Sequence, residues 1–389
     1  MSRSLPGSRL LSAVFRRPGP PRLLFVANGM VPTLQFSFVH PLAPLEQAGL
    51  VDLRFLFEPT IDERIAEGSL GPLMGEIAPD LVVFCRYSGA GTEEIMAAVR
   101  KRGGKVITHL DDDLLDVPKS IGAVKHAFHN DPARLATVRR LMADSDAVYF
   151  SNAVLAARMT AKQPVRRAVV SGIINALPCL RLPARGPTRR IGYMGFDHAA
   201  DFALVAGALA RLLDRRPEVG FDVFGPIPIP PSLARFADRI RVFGPVGGYD
   251  AFVRRLASLE WDVGICPLVR DDFNLVKSDI KWLEYTACGM ATVASADTVY
   301  DTVCADGCGL LARTEAEWFD GLDGLVADPD ARYRMALRAQ RRLIDAYSPG
   351  HLRAQVLALL AGVDPRLAGL GENFVRRSAT APEAQRSGS

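Results

Sequence analysis

The sequence predicts an α/β protein made of two Rossmann-like domains, each built on a parallel sheet and facing the other across a cleft. Three observations predict it. Strand-sized apolar runs alternate with segments of helical period, the pattern of parallel strands joined by crossover helices. That alternation stops at a proline- and glycine-bearing stretch near the middle of the chain and then begins again. The 389 residues also exceed what one ordinary core holds.

In the first half, Arg22–Ala27 reads as the opening strand, turned by Asn28-Gly29 and Pro32. Residues 36–48 follow as a helix and 51–57 as a strand. Residues 80–85 form a buried strand, followed by the loop Ser88-Gly89-Ala90-Gly91 and a helix over Thr92–Lys101. Lys105–Leu110 is a strand that ends in Asp111-Asp112-Asp113, and further strands are expected at 147–151 and 165–171. Pro178, Pro183, Gly186 and Pro187 mark a linker over 178–190. The second half restarts with strands at 191–194, 221–224, 240–243, 261–267 and 291–295. Its helices are expected at 202–213, 249–259, 276–288, 315–326, 331–346 and 352–360.

The division that results is a basic disordered tail (1–20), a first domain (21–177), the linker (178–190) and a second domain (191–348). A helix over 349–368 is expected to pack back on the first domain. Residues 369–389, dominated by Ala, Ser, Arg and Gly, read as a disordered tail.

Composition excludes several classes. With 49% hydrophobic and 23% charged residues the body folds, yet no apolar run approaches the ~20 residues that span a bilayer. The tail carries Arg3, Arg9, Arg16 and Arg17 without an acidic residue or an apolar signal core. Beside plain disorder, its other reading is peripheral contact with anionic lipid. The net charge of +4 comes with no zinc spacing, arginine-rich helix or RNA-binding aromatic motif, so no nucleic-acid partner is expected. The six cysteines include no Cys-x-x-Cys pair and fit reduced thiols in a cytoplasmic protein. Cys304 and Cys308 make at most half a zinc site, so no metal is expected there.

Open parallel sheets bind ligands at the carboxyl ends of their strands, which makes the cleft the expected site. It does not read as a nicotinamide site. The first turn is Asn28-Gly29-Met30-Val31-Pro32, Gly192-Tyr193-Met194-Gly195-Phe196-Asp197 has the wrong spacing, and there is no Walker loop.

The segment from Asn274 to Gly289 is the most informative. At 100° per residue Val276, Ile280, Leu283 and Ala287 form an apolar stripe, with Lys277, Lys281, Glu284 and Cys288 beside it. Lysines at a helix start oppose the macrodipole unless an anion compensates. Asp271, Asp272 and Asp279 compensate in part; a ligand diphosphate would do so more fully, with Glu284 placed to accept hydrogen bonds from ribose hydroxyls. The bland alternative is two solvated lysines with Glu284 as their ion-pair partner.

From Ile191 to Ser348 the chain resembles the donor-binding domain of the retaining GT-B glycosyltransferases of group 1, a glycosyltransferase family 4-like pattern. The resemblance rests on Gly192-Tyr193-Met194-Gly195 with His198 and Asp201, on residues 261–267, and on Lys277-Ser278-x-x-Lys281-x-x-Glu284-Tyr285 running into Gly289-Met290-Ala291-Thr292-Val293-Ala294-Ser295. Residues 147–152 and Asn175 extend it loosely into the first half. It implies that Glu284 binds the nucleotide ribose and that the helix start receives the diphosphate. Gly195, His198, Asn274, Lys277, Ser278, Lys281 and Glu284 then form the donor site. Two departures stand out. Many members carry a glutamate eight positions before the one matching Glu284, where this chain has Val276, and many carry an arginine and a lysine near the first glycine loop, where Phe196 stands here. Lys277 and Lys281, with His198, are the expected substitutes.

Three adjacent carboxylates at Asp111–Asp113 repel one another and need a cation, donors or solvent nearby. They read as sugar-hydroxyl recognition or an acceptor-side base through Asp111 and Asp112, as an Asp-x-Asp metal site, or as a loop in which Asp113 caps a turn. His109 either bonds the sugar or packs in its strand. Gly29 and Gly91 offer amides for an acceptor-side loop, or are simple turns. The expected activity is transfer of a sugar from a nucleoside-diphosphate sugar to a glycan or lipid-linked acceptor hydroxyl, without cofactor or metal. A nucleotide-sugar epimerase and a non-catalytic sugar-nucleotide or glycan-binding protein are the alternatives.

Overall fold

The computed structural model describes residues 19–171, 173–196 and 199–380. His198 and most of the expected basic tail lie outside them. The first lobe holds β1 (Arg22–Ala27), β2 (Asp52–Phe57), β3 (Leu81–Cys85), β4 (Lys105–Leu110), β5 (Ala147–Phe150) and β6 (Ala168–Val170), ordered β2-β1-β3-β4-β5-β6. The second holds β7 (Arg190–Met194), β8 (Gly220–Phe224), β9 (Ile240–Phe243), β10 (Val263–Cys266), β11 (Ala291–Ser295) and β12 (Leu310–Ala312), ordered β12-β11-β10-β7-β8-β9. The strand pairs are parallel throughout both sheets.

The two orders have the same consequence. The chain changes direction across the sheet at its first strand, β1 in one lobe and β7 in the other, so a crevice opens beyond the carboxyl ends of both. The segment leaving β1 runs through Met30 to Gln35, and the turn leaving β7 carries Gly195 and Phe196. These segments meet at the cleft described below.

Two glycines on the central strands seat the helix that follows β10. A Cβ on Gly192 would fall inside the Trp261 ring, and one on Gly264 would meet the Tyr285 ring. The bare strand surface leaves room for both rings, which are tilted 55° to one another. Tyr285 Oη then accepts from Met194 N at 3.0 Å and donates to Ile265 O at 3.2 Å, which fixes the end of β7 against β10. Trp261 Nε1 donates to the buried Asp222 at 2.7 Å, whose charge is matched by Arg190 and Arg241.

Local propensity is overridden in places. The helix Leu70–Ile77 contains Gly71, Pro72 and Gly75 and holds because Leu70 and Met74 are buried under the first sheet. The single helix expected over 36–48 is instead a short turn (Pro32–Leu34), a π-helical turn (Gln35–Val39) and a helix (His40–Gln47), with Pro41 and Pro44 in the last piece. A wide turn of this kind is typical of functional positions.

The helix Pro349–Val363 returns to the first lobe and places Leu352, Val356 and Leu360 in one core with Leu23, Phe25 and Phe38. Residues after 369 are not all tail: Leu370–Thr380 is a helix. Leu370 is buried in the first-lobe core, Phe374 packs against it, and Arg353 stacks 4.9 Å from the Phe374 ring centroid. This apolar pair outweighs the polar composition around it. Among the described residues no helix is long and apolar enough to cross a membrane.

Gly192→Ala should cost about 1–3 kcal/mol or more, because the Trp261 ring has no room to shift beneath its bond to Asp222. Urea denaturation of the variant checks this; an unchanged midpoint would show that the ring moves freely.

Candidate functional site

Two adjoining cavities lie between the lobes and share Phe196 in their walls. One, of about 320 Å³, is walled by Met30, Pro32, Gln35 and Phe36 of the first lobe and by Gly195, Tyr249, Phe252, Lys281 and Glu284 of the second. The other, of about 300 Å³, is lined by Arg86, Asp112, Lys125 and His129 and, across from them, by Asp201, Asp271, Asn274 and Lys277. The first is largely apolar and aromatic, while the second mixes apolar walls with most of the charged side chains. A wider hollow at the amino ends of β7 and β8 is lined by arginines, of which Arg190 and Arg241 pair with Asp222.

The lysine-bearing segment is not one helix from 276. A 3-10 turn covers Asn274–Val276, Lys277 is extended, and the helix runs Ile280–Ala287. The cause is Val276. Its side chain is buried in the first lobe among Leu110, Leu155 and Met159, so burial across the cleft wins over helical continuity. Asn152 Nδ2, from the first lobe, donates to Val276 O at 2.8 Å and Lys277 O at 3.2 Å. Arg158 pairs with Asp272 at 3.3 Å beside them. Asn274 is locked by bonds to Val269 O and Asp271.

Lys277 therefore lines the charged cavity from a loop, with its ammonium 5.2 Å from the Phe273 ring centroid. Lys281 and Glu284 line the apolar one. Burial lowers the Lys281 pKa, and Lys277 lowers it further. Burial raises the Glu284 pKa to about 8, opposed by a hydrogen bond from Tyr249 and by the Lys281 charge. Ser278 is half-buried and lines neither cavity. The carboxylates expected to offset the lysines bond elsewhere as well: Asp271 to Asn274, Asp272 to Arg158 and Asp279 to Tyr347.

The acidic cluster is divided among cations. Asp111 accepts from Thr33 Oγ1 at 2.8 Å and pairs with Arg86, which also holds Asp112 at 2.7 Å. Asp113 turns away to Arg158 and Lys162, at 2.6 and 2.5 Å, and its Oδ1 caps Leu115 N at 3.1 Å. The two ends of the Asp-x-Asp spacing thus serve different partners, and among the described residues no cluster of His, Cys, Asp or Glu is arranged to hold a metal. Burial pushes Asp111 upward, but Arg86 and His109 bring it below its ordinary value. Asp112 is raised, by burial and by Asp111 against Arg86 and Lys277, and it is the one of the three that lines the cleft.

Three of the candidate residues lie outside both cavity walls, in keeping with the structural reading given beside each. His109 does not reach the cleft: it is fully buried, stacked near Phe38 and Tyr149, with Nδ1 3.1 Å from Tyr149 O. Burial lowers its pKa to about 4, so it is a neutral core residue. Gly91 serves packing rather than an acceptor loop, since its φ is +78° and a Cβ would meet Ile61 and Leu70. Gly29 does not line either cavity, which its neighbours Met30 and Pro32 do.

Sequence reading passed over Arg86, His129 and Tyr249. Arg86 follows the apolar run 81–85 directly and adopts φ +52°, a sharp turn that aims it at the acidic cluster. Tyr249 follows Gly247-Gly248 at a helix start. Both positions were legible as strand-to-loop or loop-to-helix junctions, but not the partners that give them a role.

Residues 206–358 match the family model described as glycosyl transferase-like. Compared by sequence, no curated protein matches the chain. Among solved structures, Anabaena Alr3699/HepE in complex with UDP-glucose is 14% identical with a TM-score of 0.59, over 88% of this chain and 99% of that one. Sucrose-phosphate synthase from Thermosynechococcus elongatus is 14% identical with a TM-score of 0.62, over 89% and 100%. A UDP-forming trehalose-phosphate synthase from Burkholderia xenovorans is 12% identical with a TM-score of 0.60, over 88% and 99%. The fold is the GT-B arrangement of these neighbours.

Glu284 binds its proton more tightly in the folded chain, near pH 8, than its ordinary value of 4.5. Its contribution to stability is full below pH 4.5 and is lost as pH rises toward 8. Glu284→Gln should flatten the fall of the melting temperature over that window; parallel curves for variant and parent would contradict the buried, protonated carboxyl.

Proposed function

We propose that the chain is a glycosyltransferase that moves a sugar from a nucleoside-diphosphate sugar to an acceptor hydroxyl, with the donor held between the lobes. One observation carries the reading. Lys281 and Glu284, three residues apart on one helix, open onto the same interlobe cavity, and Lys277 of the same segment lines the cavity next to it. The charges needed for a ribosyl diphosphate thus stand in one line at the carboxyl ends of both sheets.

The aromatic walls of Phe36, Tyr249 and Phe252 suit a flat base, and Glu284 suits a ribose diol. Lys281 and Lys277 suit the diphosphate. Burial disfavours the Lys281 charge in the free protein, so a bound anion restores what desolvation takes away. As the glycosidic bond breaks, negative charge grows on the departing diphosphate, and fixed ammonium groups stabilise it without a metal. Asp112, Arg86 and Asn274 face the space where sugar and acceptor would meet. Catalysis on this reading is orientation plus electrostatics. The UDP-glucose complex and the UDP-forming enzyme among the structural neighbours support a nucleotide sugar as the ligand class.

The finer parts of the proposal rest on the Lys277–Gly289 resemblance: transfer of hexosyl type with retention, in polysaccharide or glycoconjugate assembly, by a cytoplasmic enzyme that touches the membrane at most peripherally. A second reading is favoured by one residue. Val276 stands where a carboxylate would face the transferred sugar and is buried in the other lobe instead, which suits a non-catalytic sugar-nucleotide or glycan-binding protein.

Melting curves with UDP, GDP, ADP, dTDP and their sugars identify the donor, because a ligand of the native state raises stability. Lys281→Ala should then weaken nucleoside-diphosphate binding roughly 10- to 100-fold, the worth of a charged hydrogen bond, and lower turnover with the fold intact. Unchanged binding and turnover in that variant would rule the site out. Product formed from donor alone marks an epimerase, and binding without transfer across an acceptor panel marks the non-catalytic reading.

A further inference from the structure

The hydroxyl of Tyr249 stands between two side chains from opposite sides of the cleft. Asn175 Nδ2 donates to Tyr249 Oη at 2.6 Å, and Tyr249 and Glu284 stand side by side in the wall of one cavity, where each shifts the other's proton affinity. An amide N–H can only donate, so the phenol oxygen is the acceptor toward Asn175 and the phenol proton is left to face a Glu284 carboxyl oxygen. The polarity of the chain runs from Asn175 through Tyr249 to Glu284.

Tyr249 itself is set from the first lobe. Asn175 lies in the segment that leaves that lobe after β6, and Ser37 Oγ fastens the same segment through Ile174 O at 2.9 Å. The Phe36 ring meets Tyr249 edge-on at 5.3 Å, Tyr249 N donates to Gln35 Oε1 at 3.4 Å, and His40 pairs with the adjacent Asp250 at 3.2 Å. Phe36 and Gln35 belong to the π-helical turn Gln35–Val39. Tyr249 is 4% and Glu284 4% exposed, so water does not substitute for these partners.

We propose that Tyr249 is a positioning residue: held by Asn175, Phe36 and Gln35 of the first lobe, it turns the Glu284 carboxyl group toward the donor ribose. Ribose recognition by the second lobe is then complete only when the first lobe is seated on it. This rests on the reading of Glu284 as the ribose-binding group.

The test uses the full chain and measures the Kd of UDP, GDP and ADP, each beside its 2′,3′-dideoxy form, by titration calorimetry. The ratio within a pair isolates the ribose hydroxyls and cancels any general loss of folded protein. The parent should prefer the ribonucleotide by roughly tenfold or more. Tyr249→Phe keeps the ring and removes the hydroxyl; Asn175→Asp keeps the shape but replaces the donor with an acceptor that draws the phenol proton away from Glu284. Both should pull the ratio toward one, with the dideoxy Kd within about twofold of the parent's. A ratio preserved in both variants overturns the role of Tyr249 and leaves the ribose site standing. A parent that binds the nucleotides without preferring ribose, or binds none of them, overturns the Glu284 reading and this proposal with it.

Discussion

The burial of Val276 in the opposite lobe is the constraint on which the cleft depends. A valine of the second lobe completes a first-lobe core of Leu110, Leu155 and Met159, and Asn152 holds the carbonyls on either side of the next peptide. Burying such a side chain is worth about 1.5–3 kcal/mol, enough to break the helix that residue periodicity favours. The result is a loop that carries Lys277 to one cavity and a helix that begins three residues later and carries Lys281 to the other. The two lysines reach different cavities because an apolar side chain is anchored elsewhere.

Electrostatics in the cleft follows from how each lobe treats buried charge. The first lobe neutralises its carboxylates by direct pairing: Arg86 takes Asp111 and Asp112, while Arg158 and Lys162 take Asp113. The second lobe leaves Lys281 and Glu284 desolvated, one with its charge disfavoured and the other favouring its proton near neutrality.

The fold was readable because its signals are local. Apolar strands such as 81–85 and 105–110, glycine turns and helix periods repeat in both halves, and each is set by neighbours in sequence. The lysine–glutamate line was readable for the same reason, as a spacing on one segment. What escaped depends on contacts distant in the chain. His109 looked like a cleft residue at a strand end, but the side of β4 it faces is filled by Phe38 and Tyr149. Arg86 could not be assigned without knowing that Asp111 and Asp112 end the neighbouring strand. Helix Leu70–Ile77 was hidden by its glycines and proline, and helix Leu370–Thr380 by the polar residues around Leu370 and Phe374. The start of the helix after Val276 moved because the partner of that valine belongs to another lobe.

The return of Pro349–Val363 to the first lobe bears on how the molecule comes into being. Leu352, Val356 and Leu360 fill the same core as Leu23 and Phe25, which lie more than three hundred positions earlier. During synthesis the ribosome releases those three residues only after the second lobe, so the first lobe waits, with part of its apolar interior uncovered, while the whole second lobe is made. The lobe translated first is therefore completed after the second, and until then its open apolar face is exposed to aggregation.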